Sequence, residues 1–123
     1  EAMVLYERTL ELAPDHYQAL FNLGRLHGHR QDFDRQQELY EAAIEANPDF
    51  LRGHYYLAKL IMDRGGNLER AEAVTRDALS RDTENRAGPL GYYVLADILN
   101  RQGRRGEAQQ AAEKGREIQS QGG

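Results

Sequence analysis

Apolar residues in this chain recur every three or four positions and almost never alternate one by one. Leu20, Leu23 and Leu26 with His27 share one helical face, and Leu39, Tyr40, Ala43 and Ile44 share the next. Turn-like positions separate the periodic stretches. Asp15 and Asp49 each follow a proline and precede a periodic run, so N-caps are expected there, and Asp32 and Asn67 stand where the same role is expected. The pattern predicts helices near 1–13, 16–30, 33–46, 50–64, 68–81, 89–102 and 105–119. The expectation is seven antiparallel helices joined by short turns, with no strand.

The pattern also repeats. A shift of 34 places lays "YERTLELAPD" (6–15) on "YEAAIEANPD" (40–49), with five identities in ten. Ordinary composition gives roughly one or fewer. The same shift puts Leu23 on Leu57 and Gly24 on Ala58, and in a third copy Leu95-Ala96 takes the place of Leu57-Ala58, 38 residues further on. The added length is assigned to one glycine at Gly65-Gly66 and to about three residues around Arg86-Ala87-Gly88. Both are turn positions, where extra length costs little.

On these residues the chain resembles the tetratricopeptide repeat family, whose pattern is a 34-residue helix–turn–helix. Leu20, Leu23, Gly24, Tyr40, Ala43 and Pro48 fall on pattern positions of the first complete copy. In the second, His54, Leu57, Ala58, Ile61, Gly66, Ala71 and Ala78 match or substitute, and Tyr92, Leu95, Ala96, Leu99, Gly103, Ala108 and Ala112 fit the last. His27 departs from the family's Tyr, Gln36 from its first Ala, Thr75 from its aromatic and Thr83 from its proline. The resemblance implies an all-α, right-handed solenoid of antiparallel helix pairs, about three and a half repeats stacked on one continuous core. Gly24, Ala58 and Ala96 would then let the helices of a pair approach closely. Gly28 has no such reading, and a helical glycine there costs about 1 kcal/mol against alanine.

One domain is expected over 1–123: a second helix of a truncated repeat (1–16), repeats at 17–50 and 51–85, and a last repeat with C-terminal cap at 86–123. The match opens in mid-repeat on Glu1, which suggests a piece of a longer polypeptide. Ala2, Leu5, Tyr6 and Thr9 would face a missing partner helix, so the face of residues 2–10 is a candidate homodimer contact.

Composition narrows the chemistry. With no cysteine there is neither disulfide nor thiolate nor Cys-based zinc site. His27 and His29 point in different directions on a helix, and no His-Glu-x-x-His or calcium-loop pattern occurs. Ser80 and Ser120 lie in no nucleophile motif. We therefore expect no enzyme, no metal and no cofactor. No apolar run reaches the roughly 18 residues of a bilayer span, so no membrane partner is expected, and the net charge of −4 argues against nucleic acid.

The distribution of charge says more. In the family the first helix of each pair lines the concave face. The stretches 17–30, 51–64 and 89–102 hold six basic residues against two acidic, while the rest holds ten against eighteen. Helical phase points Phe21, Asn22, Arg25 and His29 to this face, with Arg52, Tyr55, Tyr56, Lys59 and Met62, then Tyr93, Asp97, Asn100 and Arg101. Aromatic groups beside Arg and Lys suit an acidic or carboxylate-bearing protein or peptide segment. Pairing of these bases with Asp63 and Asp97 is the plainer alternative. The expected role is a non-catalytic binding scaffold; the alternative is a structural module that self-associates or docks on a catalytic domain of its own polypeptide.

Overall fold

The computed structural model describes residues 2–122. Among them lie seven helices and no strand: α1 (Ala2–Leu12), α2 (Tyr17–His29), α3 (Phe33–Ala46), α4 (Leu51–Asp63), α5 (Leu68–Arg81), α6 (Leu90–Arg101) and α7 (Arg105–Gly122). The expected helices are all present, and the last runs three residues further than the pattern predicts. The expected start on Glu1 and the domain end on Gly123 fall outside the described residues.

The chain divides into two compact units, one up to Gly53 and one from His54 onward. In the first, α2 packs against α3 and α1. Its core holds Met3, Ala19, Leu20, Leu23, Leu39, Tyr40 and Ala43. Phe21 stacks on Tyr40 with ring centroids 4.8 Å apart and meets Phe50 edge-on at 5.2 Å. Gly24 makes this approach possible, because a Cβ there would lie 2.9 Å from Tyr40 Cδ1. At Gly28 a Cβ would meet only the end of the Gln36 side chain, whose amide donates to Tyr40 Oη at 3.0 Å. The space beside Gly28 is taken by that amide, the movable end of a side chain, rather than by the body of the neighbouring helix.

In the second unit α6 packs against α5 and α7. Leu95, Ala96, Leu99, Ala108 and Ala111 form a cluster with Leu79 and Ala112 at its edge. Tyr55, Leu57, Met62, Ile98 and Thr75 are fully buried. Thr75, standing where the family has an aromatic, donates its hydroxyl to Ala71 O at 2.9 Å. That bond lets a polar side chain sit in the core without an unpaired group.

Three helices end alike. The N–H of Gln31 bonds Gly28 O and that of Asp32 bonds His27 O, both at 2.9 Å. Gly65 to Met62 with Gly66 to Ile61, and Gly103 to Asn100 with Arg104 to Leu99, repeat this paired closure. Each needs a left-handed residue, and Gln31 (φ 64°), Gly65 (φ 71°) and Gly103 (φ 79°) supply it.

The starts vary more. Asp32 and Asn67 cap α3 and α5, accepting from the N–H of Arg35 and Arg70. Asp15 does not cap α2, contrary to expectation. His16 does, its Nδ1 accepting from Ala19 N at 3.2 Å, because the helix begins one residue later than the proline-aspartate pair suggests. Asp49 lies in the turn before α4, where its own N–H is held by Asn47 Oδ1. The inserted segment between α5 and α6 is organised by Asp82. This buried carboxylate accepts from Arg86 N at 2.7 Å and Ala87 N at 2.8 Å, while Asn85 turns the chain at φ 55°.

Candidate functional site

In the first unit Arg25 and His29 are exposed on α2, with Asn22 half-buried one turn before Arg25. Arg52, in the first turn of α4, is also exposed. Phe21 lies elsewhere than expected: it is part of the core, because its ring is committed to Tyr40 and Phe50. His27 is half-buried, with Nδ1 3.5 Å from Asp32 Oδ2.

In the second unit the exposed residues Tyr56, Lys59 and Asp63 recur along α4 at spacings of three and four. Asp97, Asn100 and Arg101 are exposed on α6. Arg101 ties the two helices together. Its guanidinium lies 3.7 Å from Asp63 Oδ1 and 3.5 Å from Asp97 Oδ1, and Nη1 reaches Met62 O at 3.4 Å. Among the described residues Lys59 has no carboxylate within ion-pair distance. The face is therefore mixed in charge, an exposed lysine and tyrosine beside an arginine already shared by two aspartates.

Three expected groove residues are turned away from this face. Tyr55 is 1% exposed, its ring against Gly91 and Leu79, and its hydroxyl has no hydrogen-bond partner among the described residues. Burial first, and then the charge of Asp82 and the neighbouring Tyr92, push that phenol above its ordinary pKa. Met62 is buried as well. Tyr93 is half-buried; its ring covers Gly115 and its hydroxyl donates to Gln119 Oε1 at 2.7 Å, so it faces α7.

One polar cluster had no sequence signal. Arg104, in the turn before α7, gives a fork to Glu107 at 2.6 and 2.9 Å and reaches Glu72 Oε1 on α5 at 2.8 Å. Arg76 holds the other Glu72 oxygen at 2.7 Å. Burial opposes ionisation of Glu72, but hydrogen bonds with Arg76, Gln102 and Arg104 outweigh it and hold the carboxyl below its usual range. The hydrogen bond from Arg104 does the same for Glu107. Glu72 and Arg104 are 32 residues apart, so only the packing of the helices brings them together. Among the described residues no group of three His, Cys, Asp or Glu is placed to hold a metal ion, and no helix is long and apolar enough to cross a membrane.

The profile of the tetratricopeptide repeat matches residues 4–48 and 29–89. The chain belongs to the tetratricopeptide repeat family. Tetratricopeptide repeat protein 14 of Mus musculus is 27% identical over 109 residues, which cover 80% of this chain and 14% of that protein. Tetratricopeptide repeat protein 7A of Homo sapiens is 29% identical over 103 residues, covering 84% of this chain and 12% of its own length. This chain thus spans a small part of both relatives.

Among solved structures, MamA (41-end) from Desulfovibrio magneticus RS-1 superposes with a TM-score of 0.76 at 21% identity, over 97% of this chain and 65% of that one. YrrB, described as a tetratricopeptide repeat protein with an unusual peptide-binding site, gives 0.77 at 15% identity over 92% and 56%. These likenesses carry the fold. The repeat's small positions do in this chain what close helix pairing requires, with Gly24 under Tyr40 and Gly115 under Tyr93.

Proposed function

We propose that this tetratricopeptide repeat chain is a non-catalytic module that binds a protein or peptide segment. The observation that carries the reading is the exposed face of α4 and α6 in the second unit, where Tyr56 and Lys59 stand beside the Arg101–Asp63–Asp97 cluster. A peptide carboxylate would meet Lys59, while Tyr56 offers an amphipathic ring of the kind enriched at interfaces. Arg101 would serve as a hydrogen-bonding edge, since its charge is already balanced by two carboxylates. In the first unit Arg25, His29 and Asn22 offer a second polar surface on α2 suited to the same ligand class. The peptide-binding site named for YrrB and the family membership support a binding role.

The test is affinity capture from native lysate with the wild type, with Lys59→Glu and with Arg25→Glu. Both side chains are exposed, so helical content by circular dichroism stays unchanged. A partner retained by wild type and lost with Lys59→Glu supports the α4–α6 face; loss with Arg25→Glu alone moves the site to α2. Full retention by both variants counts against either surface.

A further inference from the structure

The charges on the exposed face of α4 and α6 alternate. Leu57-Ala58 and Leu95-Ala96 hold the same place in successive repeats, and their 38-residue shift lays Lys59 on Asp97 and Asp63 on Arg101. At both positions the sign reverses from one helix to the next. All four side chains are exposed, and together they carry no net charge. The surplus of base in the first helices of the pairs is absent from these four positions.

The two levels differ in what they leave open. At one, Arg101 lies 3.7 Å from Asp63 and also reaches the Met62 carbonyl at 3.4 Å. At the other, among the described residues, Lys59 has no carboxylate within ion-pair distance, and Asp97 is met only by the edge of Arg101, 3.5 Å from its Oδ1. The Asp97 side chain is 52% exposed. A cation and a half-satisfied anion thus stand at the same level of neighbouring helices, with the exposed Tyr56 ring one turn from Lys59. The helices touch through Tyr55 and Gly91 as well as through Arg101, and helices so packed have axes about 8–10 Å apart. An extended peptide presents every second side chain to one surface, about 7 Å apart, so residues two apart reach both helices.

We infer that this face takes an extended peptide segment bearing one carboxylate and one cationic side chain two residues apart, the carboxylate on Lys59 and the cation on Asp97. The inference rests on the binding role proposed above and makes its ligand dipolar rather than acidic. The same pattern rejects like charges: two acidic residues would set one against Asp97, and two basic residues would set one against Lys59.

The test selects a phage-displayed library of random dodecapeptides on the wild type, on Asp97→Lys and on Lys59→Asp. Both positions are exposed, so the three proteins keep the same helical content. The expected enrichment is an acidic and a basic residue two apart on the wild type, two acidic residues at that spacing on Asp97→Lys, and two basic residues on Lys59→Asp. Synthetic peptides from the wild-type selection should lose up to about fivefold in affinity when either charge is neutralised, the scale of an exposed ion pair. Enrichment of acidic residues alone on the wild type overturns the inference and leaves a carboxylate ligand at Lys59. The same peptides on all three proteins, or none on any, overturn both the inference and the binding face beneath it. A wild-type dimer in sedimentation that Lys59→Asp abolishes overturns it in favour of a second copy, whose alternating charges would complement this face.

Discussion

The ring of Tyr55 lies against the backbone of Gly91, so closely that a Cβ at Gly91 would stand 2.5 Å from Tyr55 Cζ. The contact joins α4 to α6 inside the second unit and leaves the Tyr55 hydroxyl buried with no partner among the described residues.

Two substitutions separate these features. Gly91→Ala gains helix propensity of about 1 kcal/mol, but it forces the ring and Leu79 to move, an overpacking cost of about 1–3 kcal/mol. The expected net effect in a urea titration is destabilisation. Tyr55→Phe keeps the ring and removes a buried hydroxyl that nothing satisfies. It is expected to leave stability unchanged or raise it by about 1 kcal/mol.

Gln31 supplies the left-handed turn that Gly65 and Gly103 supply elsewhere. A side chain in that conformation costs about 1–2 kcal/mol, partly offset by the greater unfolded-state freedom of glycine. Gln31→Gly should therefore stabilise by up to about 1 kcal/mol, and Gly103→Ala should destabilise by about 1–2 kcal/mol. Thermal midpoints of the two variants, moving in opposite directions, provide the check.

His16 caps α2 through an imidazole nitrogen. Asparagine is a better cap at that position, so His16→Asn should add about 0.5–1 kcal/mol. Urea denaturation midpoints of the two proteins, compared under one buffer condition, provide the check.

Glu72 links folding to acidity. Its folded-state pKa is lowered, since the bonds with Arg76, Gln102 and Arg104 outweigh its burial. Its contribution is therefore complete above the unfolded carboxylate pKa of about 4.3 and disappears as pH falls through the lower folded value. Glu72→Gln should lower the denaturation midpoint at pH 7 and make little difference at pH 2. A variant equally destabilised at both pH values would show that shape, rather than charge, is what matters there.

Much of this fold could be read directly from the residues. Helical spacing, Asp32, Asn67 and the glycine turns mark six of the helices to within one or two residues, because periodicity and capping involve neighbours in the chain. The 34-residue repeat also assigns Gly24 a packing role, and the Tyr40 ring lies where a Cβ at that position would be crowded. The α2 cap was missed because aspartate is the commoner cap and the histidine follows it directly. The Asp82 turn was missed because its backbone donors, the N–H groups of Arg86 and Ala87, are placed by a loop conformation that no local pattern announces.

The candidate face was only partly readable. Tyr55 and Tyr56 are neighbours that a groove expectation treats alike, yet one is 1% exposed and the other 37%. Successive residues point about 100° apart on a helix, so the rotation of α4 against α6 decided which ring packs on Gly91 and which meets solvent. The same rotation brought Arg101 between Asp63 and Asp97 and turned Tyr93 onto Gly115. The sequence by itself determined where helices begin, turn and repeat, since hydrogen bonds three and four residues apart and small turn residues are local. Only tertiary packing decided which charges are already neutralised, which tyrosine of α4 is buried, and that Leu5 remains uncovered where Leu39 is buried, because those outcomes depend on distant side chains competing for the same space.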